Sequence, residues 1–600
     1  MIKGALFDID DTLYSHELNA VPAKTLLALD LLREKGIKIG VCTSRVIAEM
    51  DKFPDVLLDR IDCKIVGTGA TTVIDGKYFK SYVIPLDIAR TYTRYFEEHN
   101  ISYDYTDING DLYYWGDLDK VNNGGYLRWA AGNIKFKPYE DEEITNLFYF
   151  DAKDEEVEYI DSVDPKANIS RWGNSGNICA ALVDKSFGLL KFCQMYSFTT
   201  DEIVAAGDGG NDDVMLEMAG IGIATDDAKE NTKKAADYIC KKPIEDGGLY
   251  EALVDLKIIE ESKRMKSYFV ELTDIGKSHL NKEDIEINDL EDDEAIIKAE
   301  YSMISSGTEL SRAFALKQGF KYPVRPGYCM VGRVLDKGKN INANIGDRVF
   351  VNAPHASLVR RKHGNEVQGP LIYKIDEDIN PIEATAINLL LVAIQGVDLS
   401  EAKKNDVVGV FGLGNIGILA ACMYKKLGCR VIGIDPVKQR CDLAKSMGIN
   451  DVICSNDPKQ DINKLTDSKG LDISVDVTGL SQVIINCVDN TKAHGEVILL
   501  GSPRQSYECD VTPLLSMIHM KNLVVKGAFN NTVPVKAEKE NERSLENNLV
   551  RVCEMIRNKD IDISKLISKV IDPKDCEDAY YDLMYNKDKV NLIVYDWKSY

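Results

Sequence analysis

The chain has no Cys-x-x-Cys pair among its fourteen cysteines. Zinc ribbons and knuckles need cysteines at short spacing, so neither is expected, and scattered thiols suit a reducing cytoplasm. Histidine is scarce, at seven residues, and no two fall at metal-ligand spacing on one helix. Positive charge is short as well: 73 Lys and Arg stand against 96 Asp and Glu, a formal charge of -23. That balance argues against nucleic acid or an anionic membrane as a partner. No apolar run reaches the roughly 18 residues of a membrane span. The opening segment, Met1 to Asp10, has no basic stretch followed by a long apolar one, so it is not read as a signal peptide. Internal repeats and low-complexity tracts are lacking. What is present is ordinary globular composition, 44% hydrophobic and 28% charged, over 600 residues. Single cores stop growing at about 250–300 residues, so two or more domains are expected.

Strand-like and helix-like segments alternate through residues 1–75 and again through 181–260, which predicts an α/β domain with a parallel sheet. Residues 76–180 are rich in Tyr, Asp and Asn and read as an α+β domain inserted into it. A charged boundary follows at about 258–266. Residues 267–393 are strand-rich and 394–535 return to βαβ patterning. The tail 536–600 carries a helical run from Ser544 and a final strand near Asn591–Tyr595, and is grouped with 267–393.

The first strand ends in Asp8-Ile9-Asp10-Asp11-Thr12. Asp-x-Asp there puts two carboxylates at the carboxyl edge of a sheet, where open α/β folds bind ligands. One carboxylate can attack phosphorus, the other can protonate a leaving oxygen, and Mg²⁺ would suppress the repulsion between anions. Thr43, in Val41-Cys42-Thr43-Ser44-Arg45, offers a hydroxyl after the second strand, and Lys185 offers a cation. Gly207-Asp208-Gly209-Gly210-Asn211-Asp212 adds two more carboxylates. In this order the four motifs resemble those of the haloacid dehalogenase-like hydrolases, over residues 1 to about 257. The insertion between the second and third motifs resembles the Cof-type branch, as does Glu245-Asp246-Gly247-Gly248. The resemblance implies Asp8 as nucleophile and Asp10 as general acid/base. It implies Mg²⁺ on Asp8, Asp10 and Asp208, with Thr43 and Lys185 holding the phosphoryl group and Ser44, Asn211 and Asp212 supporting the site. A retained second Asp marks phosphatases within that family. Asp11 and Ser44 stand where glycine is commoner.

Downstream, the β-branched strand Val407–Phe411 leads into Gly412-Leu413-Gly414-Asn415-Ile416-Gly417 and a helix, and Asp435 follows about 20 residues on. Strand, glycine turn, helix and acid together predict a dinucleotide site, with the pyrophosphate at the helix N-terminus and Asp435 on the adenosine ribose. A carboxylate there favours NAD(H) over NADP(H). From about 267 to 600 the layout resembles the medium-chain dehydrogenase/reductase family: a GroES-like β domain with a Rossmann domain. Ser306-Gly307-Thr308-Glu309 stands where that family often has Cys-Gly-Thr-Asp, and Gly327-Tyr328-Cys329 where it often has Gly-His-Glu. Serine and tyrosine are poor zinc ligands beside thiolate and imidazole, and the structural-zinc cysteine quartet is lacking, so no zinc is expected. The segments Ile304–Ser311, Pro326–Tyr328 and Pro354–Ser357 resemble the subgroup that includes bacteriochlorophyllide dehydrogenase, without carrying over a pigment substrate. Without zinc, His355 is the candidate proton donor, Thr308 matches the family's relay position, and Tyr328 offers a phenol. Each has a structural alternative, hydrogen bonding for His355 and packing for Tyr328.

Taken together the motifs predict a cytoplasmic bifunctional enzyme. It would hydrolyse a small phosphorylated substrate, a sugar or polyol phosphate, with Mg²⁺, and interconvert carbonyl and alcohol with NAD(H). The alternative is a phosphatase whose second half is a nucleotide-binding or regulatory module. Pairing through Rossmann sheets, frequent in the dehydrogenase family, makes a homodimer the partner to look for.

Overall fold

A computed structural model describes residues 1–600 except 51, 75–76, 124–133, 317–318, 365–370, 504, 538–542 and 588. The chain divides into two compact units between Lys263 and Arg264. Among the described residues no helix is long and apolar enough to cross a membrane.

In the first unit the short strand Gly4–Phe7 is buried on both faces, as a central parallel strand must be. It lies in an eight-stranded sheet ordered Tyr238–Ile239, Ile221–Ala224, Ile203–Gly207, Gly4–Phe7, Lys38–Cys42, Cys63–Val66, Thr71–Ile74 and Lys77–Ser81. The first six strands run parallel and the last two antiparallel. Phe7 pairs with Ala206 on one side and Val41 on the other. The residues that follow those three positions therefore leave the sheet at one edge. Leu189 and Phe192, from the helix Lys185–Tyr196, pack on Leu6, Ile203 and Ala205 beneath that edge.

A six-stranded sheet is inserted before that helix, in the order Asn168–Trp172, Ser175–Cys179, Ile144–Phe150, Ser102–Asp107, Leu112–Trp115 and Lys135–Phe136. The helices Leu86–Glu98 and Asp154–Val163 bury a core of Tyr92, Phe96, Tyr103, Tyr105 and Tyr149 against it. The tyrosines that gave this segment its unusual composition are thus its core, each ring burying roughly 150–250 Å². Strand Lys77–Ser81 falls inside the span expected for the insertion, yet it is the edge strand of the larger sheet because it pairs with Thr71–Ile74.

The second unit begins with the hairpin Arg264–Asp274 and Lys277–Glu286. A seven-stranded sheet follows, ordered Ile372–Lys374, Arg348–Val351, Met330–Lys337, Glu294–Met303, Leu592–Asp596 and Ile567–Ile571, with Leu358–Lys362 also on Glu294–Met303. The last strand of the chain therefore pairs with one 300 residues earlier, which the sequence pattern alone could not show. Between them lies a six-stranded, wholly parallel sheet: Asp451–Ile453, Arg430–Ile434, Val407–Phe411, Leu471–Asp476, Thr491–Leu499 and Val524–Gly527. Numbered along the chain this is the order 3-2-1-4-5-6, the dinucleotide-binding topology, with its reversal at Val407–Phe411. Helix Ile387–Leu399 runs unbroken through the expected boundary at 393–394 because its apolar residues, Leu390, Ile394 and Val397 among them, join a core shared with Val408, Val410 and Leu419.

Candidate functional site

In the first unit, Asp8, Thr43 and Asp208 all stand just beyond neighbouring parallel strands, at the edge fixed by the register around Phe7. Lys185 reaches the same place from the start of its helix, which Asp184 caps by accepting from the Phe187 amide. Its ammonium is fully buried, 2.9 Å from Asp8 Oδ1 and 2.6 Å from Asp212 Oδ1. The other oxygen of Asp212 accepts from the amides of Asp208 and Gly209 at 3.2 and 3.0 Å. Gly207 has no room for a side chain, since a Cβ would lie 2.3 Å from the Asp212 carboxyl carbon. Thr43 is buried and its Oγ1 accepts from the Arg45 amide at 3.1 Å, which leaves its hydroxyl proton free to donate.

Oxygens of Asp8, Asp208 and Asp212 lie within 4.8 Å of one another. Three carboxylates cannot share so small a volume without a cost in ionisation. Burial lifts the Asp8 carboxyl well above its usual range despite Lys185. Burial, then the neighbouring Asp212, pushes Asp208 up to about 7. Burial disfavours the Lys185 charge, but Asp212 and Asp8 outweigh it and hold the ammonium protonated. An all-oxygen donor set of this kind fits a hard divalent cation such as Mg²⁺, which would relieve the repulsion.

Asp10 is placed differently from the expectation of a free acid. Arg45 donates to both its oxygens, at 3.0 and 2.9 Å, and His16 Nε2 lies 2.8 Å from Oδ1. Burial works against its charge, but these hydrogen bonds hold the carboxyl well below the usual range. Arg45 is braced in turn by the buried Glu49, which also accepts from the Val46 amide. His16 and Arg45 had no assigned role in the sequence; Arg45 stood inside a quoted motif, whereas an isolated histidine gives no signal. Asp10, Ser44, Arg45 and Asn211 open onto a cleft of about 660 Å³, whose opposite wall is Phe148, Arg171, Trp172 and Asn177 of the inserted domain. No pattern in residues 76–180 had pointed to that wall.

In the second unit the glycine turn sits at the sheet's reversal. Gly412 has φ +99°, and a Cβ on Gly417 would lie 1.8 Å from the Gly412 carbonyl oxygen. Gly414 has open space where a Cβ would point, so a ligand can approach its backbone. Ile416 packs at the edge of the main core, and Asn415 donates to Ser306 Oγ and the Asn591 carbonyl, both at 3.3 Å. Asp435 is nearly buried. Its oxygens accept from the Leu413 and Val437 amides, each at 2.8 Å, and Arg440 lies 3.4 Å away. The acid therefore ties the glycine turn to its own loop.

His355 must be corrected as a proton donor to substrate. It is fully buried, with Nδ1 2.8 Å from Ser302 Oγ and Nε2 2.9 Å from Glu309 Oε2. Trp597 donates to the same Ser302 and Tyr580 to the same Glu309 oxygen, both at 2.8 Å. Both ring nitrogens are spent on a closed network. The accessible wall is instead hydroxylic. Thr308 is exposed, Ser306 and Tyr328 are half-buried, and the Tyr328 phenol donates to Ser305 Oγ. Burial raises the Tyr328 phenol above its ordinary range. The neighbouring Cys329 is fully buried and kept neutral by that burial. Serine and threonine hydroxyls and a phenol are poor zinc ligands beside thiolate and imidazole. Among the described residues the clustered metal-type ligands are Asp8, Asp208 and Asp212.

Residues 5–253 match the haloacid dehalogenase-like hydrolase family, and residues 415–546 match the family described as zinc-binding dehydrogenase. The second match covers most of the parallel-sheet region but leaves out its strand Val407–Phe411, Gly412 and Gly414, as well as positions 306 and 328. A Streptococcus pyogenes serotype M6 protein named as a bifunctional phosphatase/peptidyl-prolyl cis-trans isomerase is 25% identical over 265 residues, 43% of this chain and 55% of that one. D-guloside 3-dehydrogenase of Shigella flexneri is 29% identical over 164 residues, 26% of this chain and 45% of that one. The chain thus spans about half the length of each of these curated relatives. Galactitol-1-phosphate dehydrogenase from Escherichia coli superposes with a TM-score of 0.48 at 18% identity, over 55% of this chain and 99% of that structure.

The clustered acids set a pH dependence. A carboxyl whose folded pKa lies above its unfolded one favours folding while protonated, so Asp208 stabilises the fold at low pH. That contribution is lost as pH rises from about 4, the unfolded value, through about 7. Without divalent cation, the melting temperature of the first unit should fall across this window. Millimolar Mg²⁺ should raise it more at neutral pH than at pH near 5, and Asp208→Asn should flatten both responses. Equal Mg²⁺ stabilisation of parent and variant, read by differential scanning fluorimetry, would count against the cluster as the cation site.

Proposed function

We propose that the chain is a bifunctional cytoplasmic enzyme whose first unit hydrolyses a phosphomonoester and whose second interconverts an alcohol and a carbonyl with NAD(H). The observation that carries the first half is the buried Lys185 ammonium between Asp8 and Asp212. Asp8 is the nucleophile, and attack on phosphorus gives an aspartyl-phosphate that water then opens. Lys185 and the Thr43 hydroxyl hold the phosphoryl oxygens. Asp8, Asp208 and the Asp10 carbonyl would hold Mg²⁺, which would supply positive charge against the anions that meet there. Asp10 serves as acid/base once the leaving oxygen replaces its Arg45–His16 contacts. Until then it is an ion-paired carboxylate, and the cleft beside it must fill before it can pass a proton.

In the second unit the turn Gly412–Gly417 would hold the pyrophosphate and Asp435 the adenosine ribose of NAD(H), which would supply or take the hydride. The reaction proceeds without zinc: Tyr328 protonates the carbonyl oxygen, and the proton is replaced through Ser305 and the exposed Thr308. The identity to a D-guloside dehydrogenase supports a carbohydrate substrate. Joined to a phosphatase, this points to a sugar or polyol phosphate passing between the two reactions. The second reading, a dinucleotide-binding regulatory module, is favoured by Ser306 and Tyr328 standing at the two zinc-ligand positions and differs in predicting binding without turnover. Two copies would pair through the edge strand Val524–Gly527, whose Val524 and Val525 are exposed beside Leu515 and Phe529.

Purified protein with Mg²⁺ should release phosphate from a panel of sugar and polyol phosphates, and Asp8→Asn should cut that release at least roughly a thousandfold. An Asp8→Asn protein as active as its parent removes the nucleophile assignment. Tyr328→Phe should lower the oxidoreductase kcat by about a hundredfold with NADH affinity unchanged. If NADH and NADPH fail to quench or enhance fluorescence, the dehydrogenase reading falls. Light scattering should show a dimer that Val525→Lys converts to monomer, and a monomeric parent refutes the pairing.

A further inference from the structure

Two of the fourteen cysteines meet beside the ribose acid. Asp435 continues the ladder between Arg430–Ile434 and Asp451–Ile453, its amide donating to the Ile453 carbonyl at 3.1 Å, so Cys454 leaves its strand alongside Asp435 and Pro436. Cys441 comes up from the helix Lys438–Ser446 beneath them. Its Sγ lies 3.2 Å from the Asp435 carbonyl oxygen and 3.9 Å from that of Ile453. The Cys454 Sγ lies 3.6 Å from the Pro436 carbonyl oxygen. Both sulfurs thus lie against the same short stretch of backbone carbonyls, those of Ile453, Asp435 and Pro436. Cys454 is exposed and Cys441 is buried.

We propose that Cys441 and Cys454 are a thiol–disulfide switch built against the adenosine end of the dinucleotide site, closed by small disulfides of the glutathione class. The Cys454 thiolate, the one within reach of solvent, attacks a sulfur of the disulfide and expels one thiol, leaving a mixed disulfide. Cys441 then attacks the Cys454 sulfur, the mixed S–S bond breaks, and the second thiol leaves with the remaining proton. Two protein thiols are oxidised and one disulfide is reduced to two thiols, so atoms and electrons balance. Burial, followed by the adjacent Cys454, pushes the Cys441 thiol up to about 12, which leaves Cys454 as the first to react.

Closure removes two S–H donors from the carbonyls of Asp435 and Pro436 and draws the helix toward the strand end. Asp435 is the residue whose carboxylate fixes the Leu413 and Val437 amides. The bond therefore forms where a small shift moves both the glycine turn and the ribose acid. This consequence for the cofactor rests on the dinucleotide reading of that turn; the cross-link itself does not.

The full chain is equilibrated with oxidised glutathione, alkylated under denaturing conditions, and digested. A disulfide-linked peptide pair containing Cys441 and Cys454 is expected in the parent and must vanish in Cys454→Ser and Cys441→Ala. NADH affinity should fall about tenfold on oxidation, return with dithiothreitol, and stay constant in both variants. Failure of the linked pair to form, with Cys454 carrying only glutathione, overturns the proposal. So does a linked pair that leaves NADH affinity unchanged. If the reduced protein binds no NADH at all, the cofactor reading fails, and the linked peptide with a shift in thermal stability still decides whether the thiol pair is a switch.

Discussion

A lysine ammonium with no solvent contact can remain charged only if carboxylates surround it, and Lys185 meets that condition through Asp8 and Asp212. The geometry of this whole sheet edge follows. Asp212 must turn back toward Lys185, and in doing so it gathers the Asp208 and Gly209 amides, so the loop after Ile203–Gly207 has one shape. Asp8 must stay close to the same cation, which fixes its carboxylate relative to the Asp208 side chain. Breaking such a cluster leaves an uncompensated buried charge, a loss of about 3–5 kcal/mol, so its members act as one unit. Excess negative charge in it is what a divalent cation would balance.

The second unit uses a buried carboxylate for another purpose. Asp435 is held differently: each of its oxygens accepts from one backbone amide, and Arg440 approaches Oδ2. Charge-assisted hydrogen bonds to amides are about twice as strong as neutral ones, which suits an acid that must hold a turn still. Glu309 is consumed in the same way, by the Ser305 amide, His355 and Tyr580. In both units, then, buried acids set loop geometry and the residues facing the clefts work on that frame.

Legibility from sequence followed chain locality. Asp8, Lys185 and Asp208 were readable because each lies at a strand or helix end whose apolar segment announces it. Gly412 and Gly417 were readable because a positive φ and a close backbone contact each exclude a side chain there. His355 misled for a physical reason. Its partners Ser302 and Glu309 lie 53 and 46 residues away and are held in turn by Trp597 and Tyr580, 295 and 271 residues further on, so nothing local distinguishes a core histidine from a catalytic one. Arg45 clamping Asp10 is likewise a contact across 35 residues. The cleft wall of Arg171 and Trp172 lies on an edge strand whose register no periodicity specifies.

The replacement of His355 by a hydroxyl cluster also constrains the direction of the proposed oxidoreduction. A phenol raised above its ordinary range by burial is a proton donor, and it becomes a base only at high pH. Protonating a carbonyl oxygen as hydride arrives suits such a group. Removing a proton from an alcohol does not, unless the chain of Ser305 and Thr308 carries it outward to solvent. A zinc ion would lower the alcohol pKa and make the two directions comparable; hydroxyls alone do not. Under the proposed reading, the hydroxyl cluster would suit carbonyl reduction near neutral pH. A phosphatase acting on the resulting alcohol phosphate would draw that reduction forward, because phosphate release is not readily reversed.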